Sequence, residues 1–277
     1  EFRRVLFRST GSTDRARYYL GINLQNQEGI LLNNSFKRYT FRMNTEFDLG
    51  KNVRVGENIQ FLYRQVLGQG GGNNGRGVAA DENAILSAFR MPSIIPIYDE
   101  FGGYAGTAAK GFNNPRNPVA ERDGNGNDRG FGAGALGNFY LEIDPIKNLT
   151  LRSSIGGLYS SSFYKYYTRL QYENSENNAS FSYGEGSNHF LNWTFTNTAA
   201  YKALFGESSI DLLAGIEAIN SGEGRSTDAS GLSPFSTDPN YINLQTVSNR
   251  QVSSSYFVQP TFFSVFGRVN YGFREKY

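Results

Sequence analysis

The chain has 277 residues, enough for one large domain, and carries 27 lysines and arginines against 25 aspartates and glutamates. It has no cysteine, which excludes a disulfide framework and any thiolate metal site. The formal net charge of +2 argues against a nucleic-acid partner, and no run of about 18 apolar residues exists that would form a transmembrane helix.

The first nine residues, Glu1 to Ser9, need separate treatment. They are what GAG TTC AGA CGT GTG CTC TTC CGA TCT encodes, and this string resembles a common short-read sequencing adapter. We therefore predict that residues 1–9 are a translated adapter and not native. Leaving them out removes three basic residues and one acidic residue, so residues 10–277 carry 24 of each and are formally neutral.

Alternation of apolar and polar residues predicts antiparallel β-strands along most of the chain. In residues 37–49, Tyr39 and Phe47 share one face, and Arg38 and Asp48 share the other. So long a polar second face is typical of an outer-membrane barrel, in which one face meets lipid and the other a watery lumen. The same period recurs in residues 17–24, 53–64, 138–144, 149–155, 191–202, 210–217 and 263–271.

Charged residues on the polar face of these strands are predicted to form a wall that faces the lumen. Glu142 and Asp144 share a strand face and so resemble the carboxylate pair of a glycosidase, but the neighbouring arginines favour a wall of paired charges. The predicted wall residues are Arg38, Arg42, Glu46, Arg54, Glu142 and Arg152.

The connections between the strands alternate between short and long, which is a second and independent signal. In an outer-membrane barrel the short turns lie on the periplasmic side and the long loops outside the cell, so the first strand would run outward. The alternation alone is also compatible with a soluble antiparallel sandwich or lectin-like barrel that has one buried face. The predicted short turns are residues 49–52, 145–148, 205–208 and 273–276, and the predicted long loops are residues 26–35, 66–135, 161–187 and 221–259.

Several segments, in their order and spacing, resemble SusC/RagA-type TonB-dependent outer-membrane transporters of Bacteroidetes. The first are the sequence from Asn26 to Ile30 and the one from Ser35 to Tyr39, which look like the opening barrel hairpin of that family. The others are the sequences from Asn117 to Ala120, from Tyr140 to Leu149 and from Phe266 to Tyr271. Together these segments extend the resemblance over nearly everything from Tyr18 to Tyr277.

The resemblance implies an all-β, antiparallel transmembrane β-barrel of 22 strands closed around a plug. Residues 10–277 would be the N-terminal part of that barrel, with about eight strands, and an internal fragment of a longer gene product that also encodes the plug and its TonB box. In that family a SusD-like surface lipoprotein covers the barrel, glycans or peptides are captured between the two, and a TonB complex pulls on the plug. The implied location is the cell outer membrane of a Gram-negative bacterium.

The long loop from Leu67 to Ala135 is predicted to contact substrate or the lipoprotein lid. Asp81 can cap a short helix on which Ile85 and Phe89 share a face, and Pro92 would end it. Flat aromatic rings beside amide and guanidinium donors suit sugar recognition, although the same rings would also serve to pack the loop against the rim. The predicted contact residues are Phe89, Tyr98, Phe101, Tyr104, Phe112, Asn113, Asn114 and Arg116.

One acidic stretch resembles the start of a calcium loop, with possible oxygen ligands at Asp123, Asn125 and Asn127. Asp128 stands where that loop needs glycine and Gly134 where it needs a bidentate glutamate, so an ordinary turn is expected instead. The glycine-rich residues 68–77 lack the Gly-Lys-Ser/Thr ending of a phosphate loop.

The chain has a single histidine, His189, so neither a two-histidine metal site nor a convincing serine-histidine triad can be assembled. We therefore expect no catalytic set, no enzyme activity, no cofactor and no bound metal. The favoured hypothesis is part of a nutrient importer of the outer membrane. Two alternatives stay open: a soluble β-sandwich or lectin-like protein that binds or hydrolyses carbohydrate, and a porin-like barrel without a plug.

Overall fold

A computed structural model describes residues 2–68, 84–108, 111–112, 114–173 and 180–274. No helix in these residues is both long and apolar enough to cross a membrane. The helices described are α1 (Ala84–Arg90), α2 (Pro118–Gly124) and two 3-10 helices, Asn125–Asn127 and Pro239–Tyr241. The strands are β1 (Phe2–Ser12), β2 (Ala16–Glu28), β3 (Ser35–Asp48), β4 (Val53–Leu67), β5 (Arg129–Ile146), β6 (Leu149–Thr168), β7 (Ser182–Phe205), β8 (Ser208–Leu232), β9 (Ser248–Val258) and β10 (Thr261–Phe273).

All ten described strands form one antiparallel sheet in which neighbours along the chain are neighbours in space. The last step differs, because the 25-residue β8 has two partners on the same side. Its first half pairs with β10, through Asn220 and Thr261, and its second half pairs with β9, through Glu223 and Val258. Pro260 lies between β9 and β10 and has no backbone N–H to donate, so the two strands are not continuous there.

The register places the alternating residues on two distinct faces, as predicted. Tyr39 is opposite Tyr63, with ring centres 6.1 Å apart, on the face predicted to meet lipid. Arg38 is opposite Arg64 on the other face. All eight predicted strands are present, and the all-β antiparallel fold class is confirmed.

Three of the predicted short turns join consecutive strands at one end of the sheet, between β3 and β4, β5 and β6, and β7 and β8. Two of them reverse the chain over two residues, with Asn148 at φ 71° and Gly206 at φ 60° in the left-handed region that tight hairpin turns require. The fourth predicted turn, residues 273–276, lies partly outside the described residues. The prediction of short turns at one end is confirmed for the first three.

The predicted long loops were drawn too long, and this part of the prediction is wrong. Strand β6 continues to Thr168, β7 begins at Ser182, and β8 with β9 occupies much of residues 221–259. Likewise, β5 already begins at Arg129 inside the predicted loop 66–135. The cause is that the two faces of these far strand segments do not differ consistently in polarity, as in β6, where both Phe163 and its neighbour Tyr164 are aromatic. The period-two signal therefore fades while the backbone pairing continues.

A small buried cluster holds a loop against the tops of β6 and β7. Tyr167 and Tyr183, with ring centres 5.2 Å apart, pack with Ile242 and Val247 from the loop after β8.

Strand β1 pairs with β2 along its whole length, from Phe2 opposite Gln27 to Ser12 opposite Arg17. Because backbone pairing does not depend on side-chain identity, the adapter origin of residues 1–9 stays a prediction.

Candidate functional site

Four of the predicted wall residues form one network of ion pairs on the polar face of the sheet. Glu142 accepts from Arg54 Nη1 at 2.8 Å and from Arg152 Nη1 at 2.7 Å. Arg54 Nε lies 4.0 Å from Glu46 and 3.2 Å from Asp48. These pairs bridge strands β3, β4, β5 and β6, so the charges hold neighbouring strands together across the polar face.

The remaining two predicted wall residues lie outside this network. Arg42 Nε donates to Gln60 Oε1 at 2.6 Å. The Nε of Arg38 is buried and has no hydrogen-bond partner within the described part of the chain. The face therefore supplies polar groups over the height of β3, and the lumen-facing role of these residues remains a prediction.

The connection between β4 and β5 is folded into a platform around one buried side chain, Asn117. Its Oδ1 accepts from the backbone N–H groups of Val119 and Ala120 at the start of α2. Its Nδ2 donates to the carbonyls of Ile97 and Ala105, both at 2.8 Å. One amide thus ties the segment from Ile97 to Ala105 to the beginning of α2.

A second buried hub, Arg122, ties the platform to the strands below it. Its guanidinium donates to the carbonyl oxygens of Leu32 at 2.9 Å and of Asn33 and Gly68 at 3.3 Å. Asn33 Nδ2 returns a bond to the Arg122 carbonyl at 3.0 Å. The loop after β2, the end of β4 and α2 are therefore joined through one side chain.

Asp128 closes the platform where it enters β5. Its Oδ1 accepts from Tyr167 N–H at 2.8 Å, and its carbonyl accepts from Gly68 N–H at 2.9 Å. Burial raises the pKa of the Asp128 carboxyl to about 7, against the opposing effects of the Tyr167 N–H and the charge of Arg122. The carboxyl therefore changes its charge near neutral pH.

Two of the predicted contact residues come together in an aromatic cluster on this platform. Tyr98 and Tyr104 form a β-bridge, and their ring centres lie 5.6 Å apart. The Arg169 guanidinium lies 5.1 Å from the centre of the Tyr104 ring, and the Tyr172 hydroxyl accepts from Tyr104 N–H at 3.0 Å. The sequence interpretation missed Arg169 and Tyr172, because they follow β6, about 68 residues from Tyr104.

The hydroxyl of Tyr104 donates to Asp123 Oδ2 at 2.8 Å. Burial first, and then this bond, raise the pKa of Tyr104 to about 12. Asp123 therefore acts as an acceptor for the aromatic cluster.

The other predicted contact residues lie in different surroundings. Phe101 is 90% exposed at the tip of the turn between Tyr98 and Tyr104, and Phe112 is 42% exposed. Asn114 and Arg116 lie on the way to α2 and take part in interactions with neighbouring groups. Asn113 lies outside the described residues.

Phe89 belongs to an apolar groove of about 590 Å³ between α1, α2 and the loop after β2. The predicted short helix forms as α1, and Ile85 and Phe89 both line this groove, together with Leu32 and Val119. Phe89 is 89% exposed, which leaves a large ring open to a partner. The capping role predicted for Asp81 lies outside the described residues.

The stretch predicted as a turn with a calcium option is helical. Asp123 lies in α2, while Asn125 and Asn127 begin and end a 3-10 helix. No group of three or more acidic, histidine or cysteine side chains that could hold a metal ion occurs in the described residues. Likewise, most of residues 68–77 lies outside that part of the chain.

No family model matches the chain. The chain is 28% identical over 276 residues to the TonB-dependent receptor P26 of Formosa agariphila and 27% identical over 283 residues to the TonB-dependent receptor P3 of the same organism. In both cases the match includes 97% of this chain and 26% of the relative, so the chain spans about a quarter of their length.

Solved structures with the same fold include the RagAB peptide transporter, with a TM-score of 0.73 and 21% identity over 99% of this chain and 30% of that one. The 'open-open' state of the RagAB peptide importer matches with a TM-score of 0.72 and 22% identity. Sequence and fold thus agree with the segments noted above. They confirm the resemblance: the chain is similar to part of the β-barrel of SusC/RagA-type TonB-dependent transporters, which are proteins of the Gram-negative outer membrane.

Proposed function

We propose that the protein containing this chain imports a nutrient, a glycan or a peptide, across the outer membrane without changing it chemically. The observation that supports this most is the combination of a charged inner wall, held by Glu142 and its two arginines, with an ordered platform above it. A wall of paired charges suits the side of a water-filled or plugged lumen, because outside-facing charges would be costly in lipid.

The platform supports a contact role for its exposed groups. Tyr98 and Tyr104 pack against each other, with Arg169 over the Tyr104 ring, and Phe89 lines a separate apolar groove. We propose that the aromatic cluster contacts the nutrient and that the groove of Phe89 receives a SusD-like lipoprotein. Rings with adjacent donors suit a polar ligand, whereas a large open apolar groove suits a protein partner.

Import of this kind needs energy, which the TonB complex would deliver through a plug encoded by the same gene. The test is uptake of labelled oligosaccharides and peptides by cells that carry or lack the complete gene. We expect uptake in the gene-bearing cells that stops when a protonophore collapses the proton gradient. Uptake that continues with the gradient collapsed would indicate a porin-like barrel and would contradict the proposal.

The partner is tested separately. An affinity tag on the complete protein should recover a surface lipoprotein from detergent-solubilised outer membranes, and Phe89→Asp should reduce that recovery. Phe101→Asp, which places the same charge at another highly exposed ring, is the matched control. Equal recovery with both variants would exclude the groove as the contact.

A further inference from the structure

We propose that the inner face of β6–β9 holds a binding site for an extended, neutral carbohydrate chain, built from Tyr164, Tyr166, Phe190 and Phe257. The inference rests on the proposed import function and names the chemistry of one site for its cargo. These four side chains lie on the same face of the sheet as the wall residue Arg152. Tyr164 and Tyr166 are an even number of residues from Arg152 along β6, and so is Ser160, which is opposite Phe190. Phe190 and Phe257 are both opposite Gly224.

The site lies on the part of the strands that extends beyond the membrane. A tilted barrel strand needs about 9–11 residues to cross the bilayer. Strands β6, β7 and β8 have 20, 24 and 25 residues, and the short turns at 147–148 and 206–207 fix their periplasmic ends. The far halves, which carry these rings, therefore stand on the extracellular side.

The two tyrosine rings lie flat on the sheet because glycines stand beside them. Tyr164 is opposite Gly186, and a Cβ atom at Gly186 would lie 2.5 Å from the Tyr164 ring. Tyr166 lies over Gly184 in the same way. The two rings are stacked with centres 6.4 Å apart and planes inclined by 21°. A ring that crosses its neighbouring strand in this way turns one broad face toward the lumen.

A second pair of rings lies further down the same face. Phe190 on β7 and Phe257 on β9 are both opposite Gly224 of β8. Their centres are 6.3 Å apart and their planes are inclined by 22°. The glycine between them lets the rings approach each other across a strand.

Filling the space above a strand glycine is a structural role that many aromatic residues perform, so the open faces need a further reason. Tyr140 provides the comparison within this chain, since its ring lies over Gly56 in the same manner. There, the Arg152 guanidinium lies 4.1 Å from the ring centre and covers the outer face. The residues Tyr164, Tyr166 and Phe257, by contrast, stay 38%, 39% and 37% exposed.

A polar row separates the two pairs of rings. Ser162, Asn188, Ser226 and Ser255 stand opposite one another across β6–β9, and Ser162 Oγ donates to Asn188 Oδ1 at 2.8 Å. This row opens into a groove of about 450 Å³ whose floor includes Gly132 and Gly134 of β5. The groove gives a ligand room beside the rings.

The spacing and the chemistry favour carbohydrate. Tyr164 and Ser160, the residue opposite Phe190, are four positions apart along β6, which corresponds to roughly 13 Å. A sugar chain of that reach can place C–H faces on both pairs of rings and hydroxyls on the serines and the amide between them. The charges nearby are Asp228, which accepts from the Tyr164 hydroxyl, and Arg64 across Gly132, so opposite charges flank the site and a neutral chain fits best.

The test uses the complete protein in detergent and an array of neutral oligosaccharides, acidic oligosaccharides and peptides. We expect binding to a neutral oligosaccharide and a loss of about tenfold in affinity for the double variant Tyr164→Ala, Tyr166→Ala. Phe163→Ala is the matched control, because Phe163 is similarly exposed and lies on the opposite face of the same strand. It should leave the affinity unchanged.

A second variant separates the ring from its position. Gly184→Ala keeps Tyr166 but forces its ring off the sheet, so it should weaken binding, while Tyr166→Phe should preserve it. Equal affinity in the double variant and in the unmodified protein would overturn the site, as would binding of peptides alone or of no array member. If one of these outcomes is found together with protonophore-sensitive uptake, the site is wrong and the import function still stands. The absence of protonophore-sensitive uptake would contradict the import function itself.

Discussion

The guanidinium of Arg152 lies 4.1 Å above the centre of the Tyr140 ring, on the polar face of the sheet. The same arginine donates to Glu142, and the Tyr140 hydroxyl donates to Glu46 at 2.7 Å. The Arg152 guanidinium thus contacts both an aromatic ring and a carboxylate. The Tyr140 ring beneath it crosses over Gly56 of β4 and reaches β3. The charged and aromatic groups on this polar face therefore form a connected layer over four strands.

Replacing Glu142, the shared acceptor of this layer, should lower the free energy of unfolding more than replacing Arg152, one of its two donors. Glu142→Ala leaves both Arg54 and Arg152 without their shared carboxylate, whereas Arg152→Ala leaves Glu142 bound to Arg54. Because the arginine side chains are 40% exposed, we expect a loss of only about 1 kcal/mol for Glu142→Ala and less for Arg152→Ala. Urea unfolding of the complete protein in detergent measures both. A larger loss for Arg152→Ala would show that the ring contact dominates.

The ordering of the platform should depend on pH through Asp128. Its folded pKa of about 7 lies above the ordinary value of 3.8, so the folded platform favours the protonated carboxyl. That contribution is complete below about pH 3.8, decreases as the pH rises, and is fully lost once the pH has risen through about 7. Amide hydrogen exchange in residues 84–108 should therefore be faster at about pH 8 than at about pH 6, beyond the intrinsic change in exchange rate. Asp128→Asn should remove the difference, and a difference that persists would assign the effect to another group.

The Asn117 side chain should be essential for the folded platform. Asn117→Ala removes two bonds to carbonyls and two bonds from the first turn of α2, with an expected local loss of about 2 kcal/mol or more. Limited proteolysis of the complete protein should then cleave between α1 and α2. Asn127→Ala is the control, since no side-chain hydrogen bond of Asn127 occurs among the described residues. Equal protection of both variants would contradict the role of Asn117.

The assignment of the two sheet faces can be tested because the chain has no cysteine. Asn58 and Ile59 are neighbours on β4 that point to opposite faces. Each cysteine variant is made in a cysteine-free background and treated with a water-soluble maleimide in native membranes. Asn58→Cys should react with the maleimide, whereas Ile59→Cys should be protected by lipid. Labelling of Ile59→Cys alone would reverse the two faces.

The fold was largely predictable because its register depends on a local signal. The period-two pattern from Tyr39 to Phe47 fixes which side chains share each face of the sheet, and the pairing of Tyr39 with Tyr63 follows from a short turn. The far halves of β6–β8 and the whole of β9 were missed because their two faces do not differ consistently in polarity, as at Phe163 and Tyr164 of β6. Tyr164 and Tyr166 became visible as a site only when the structure placed them over Gly186 and Gly184.

The candidate contact residues were predictable only as a loop rich in rings and amides. Asn117 belongs to a segment that resembles a known family, but its partners Ile97 and Ala105 are 20 and 12 residues away. The partners of Arg122 are 54 to 90 residues away. No periodic pattern encodes contacts at such distances, so the hubs that order the platform required the structure.

The central claim, that this chain is part of a TonB-dependent importer, is tested most directly by a long-read sequence of the intact gene and its neighbours. We expect a signal peptide and a plug domain with a TonB box upstream, further barrel strands downstream, an adjacent gene for a SusD-like lipoprotein, and different residues in place of Glu1 to Ser9. A start codon near Thr10 with a stop codon directly after Tyr277 would contradict the account and favour a small soluble β-protein.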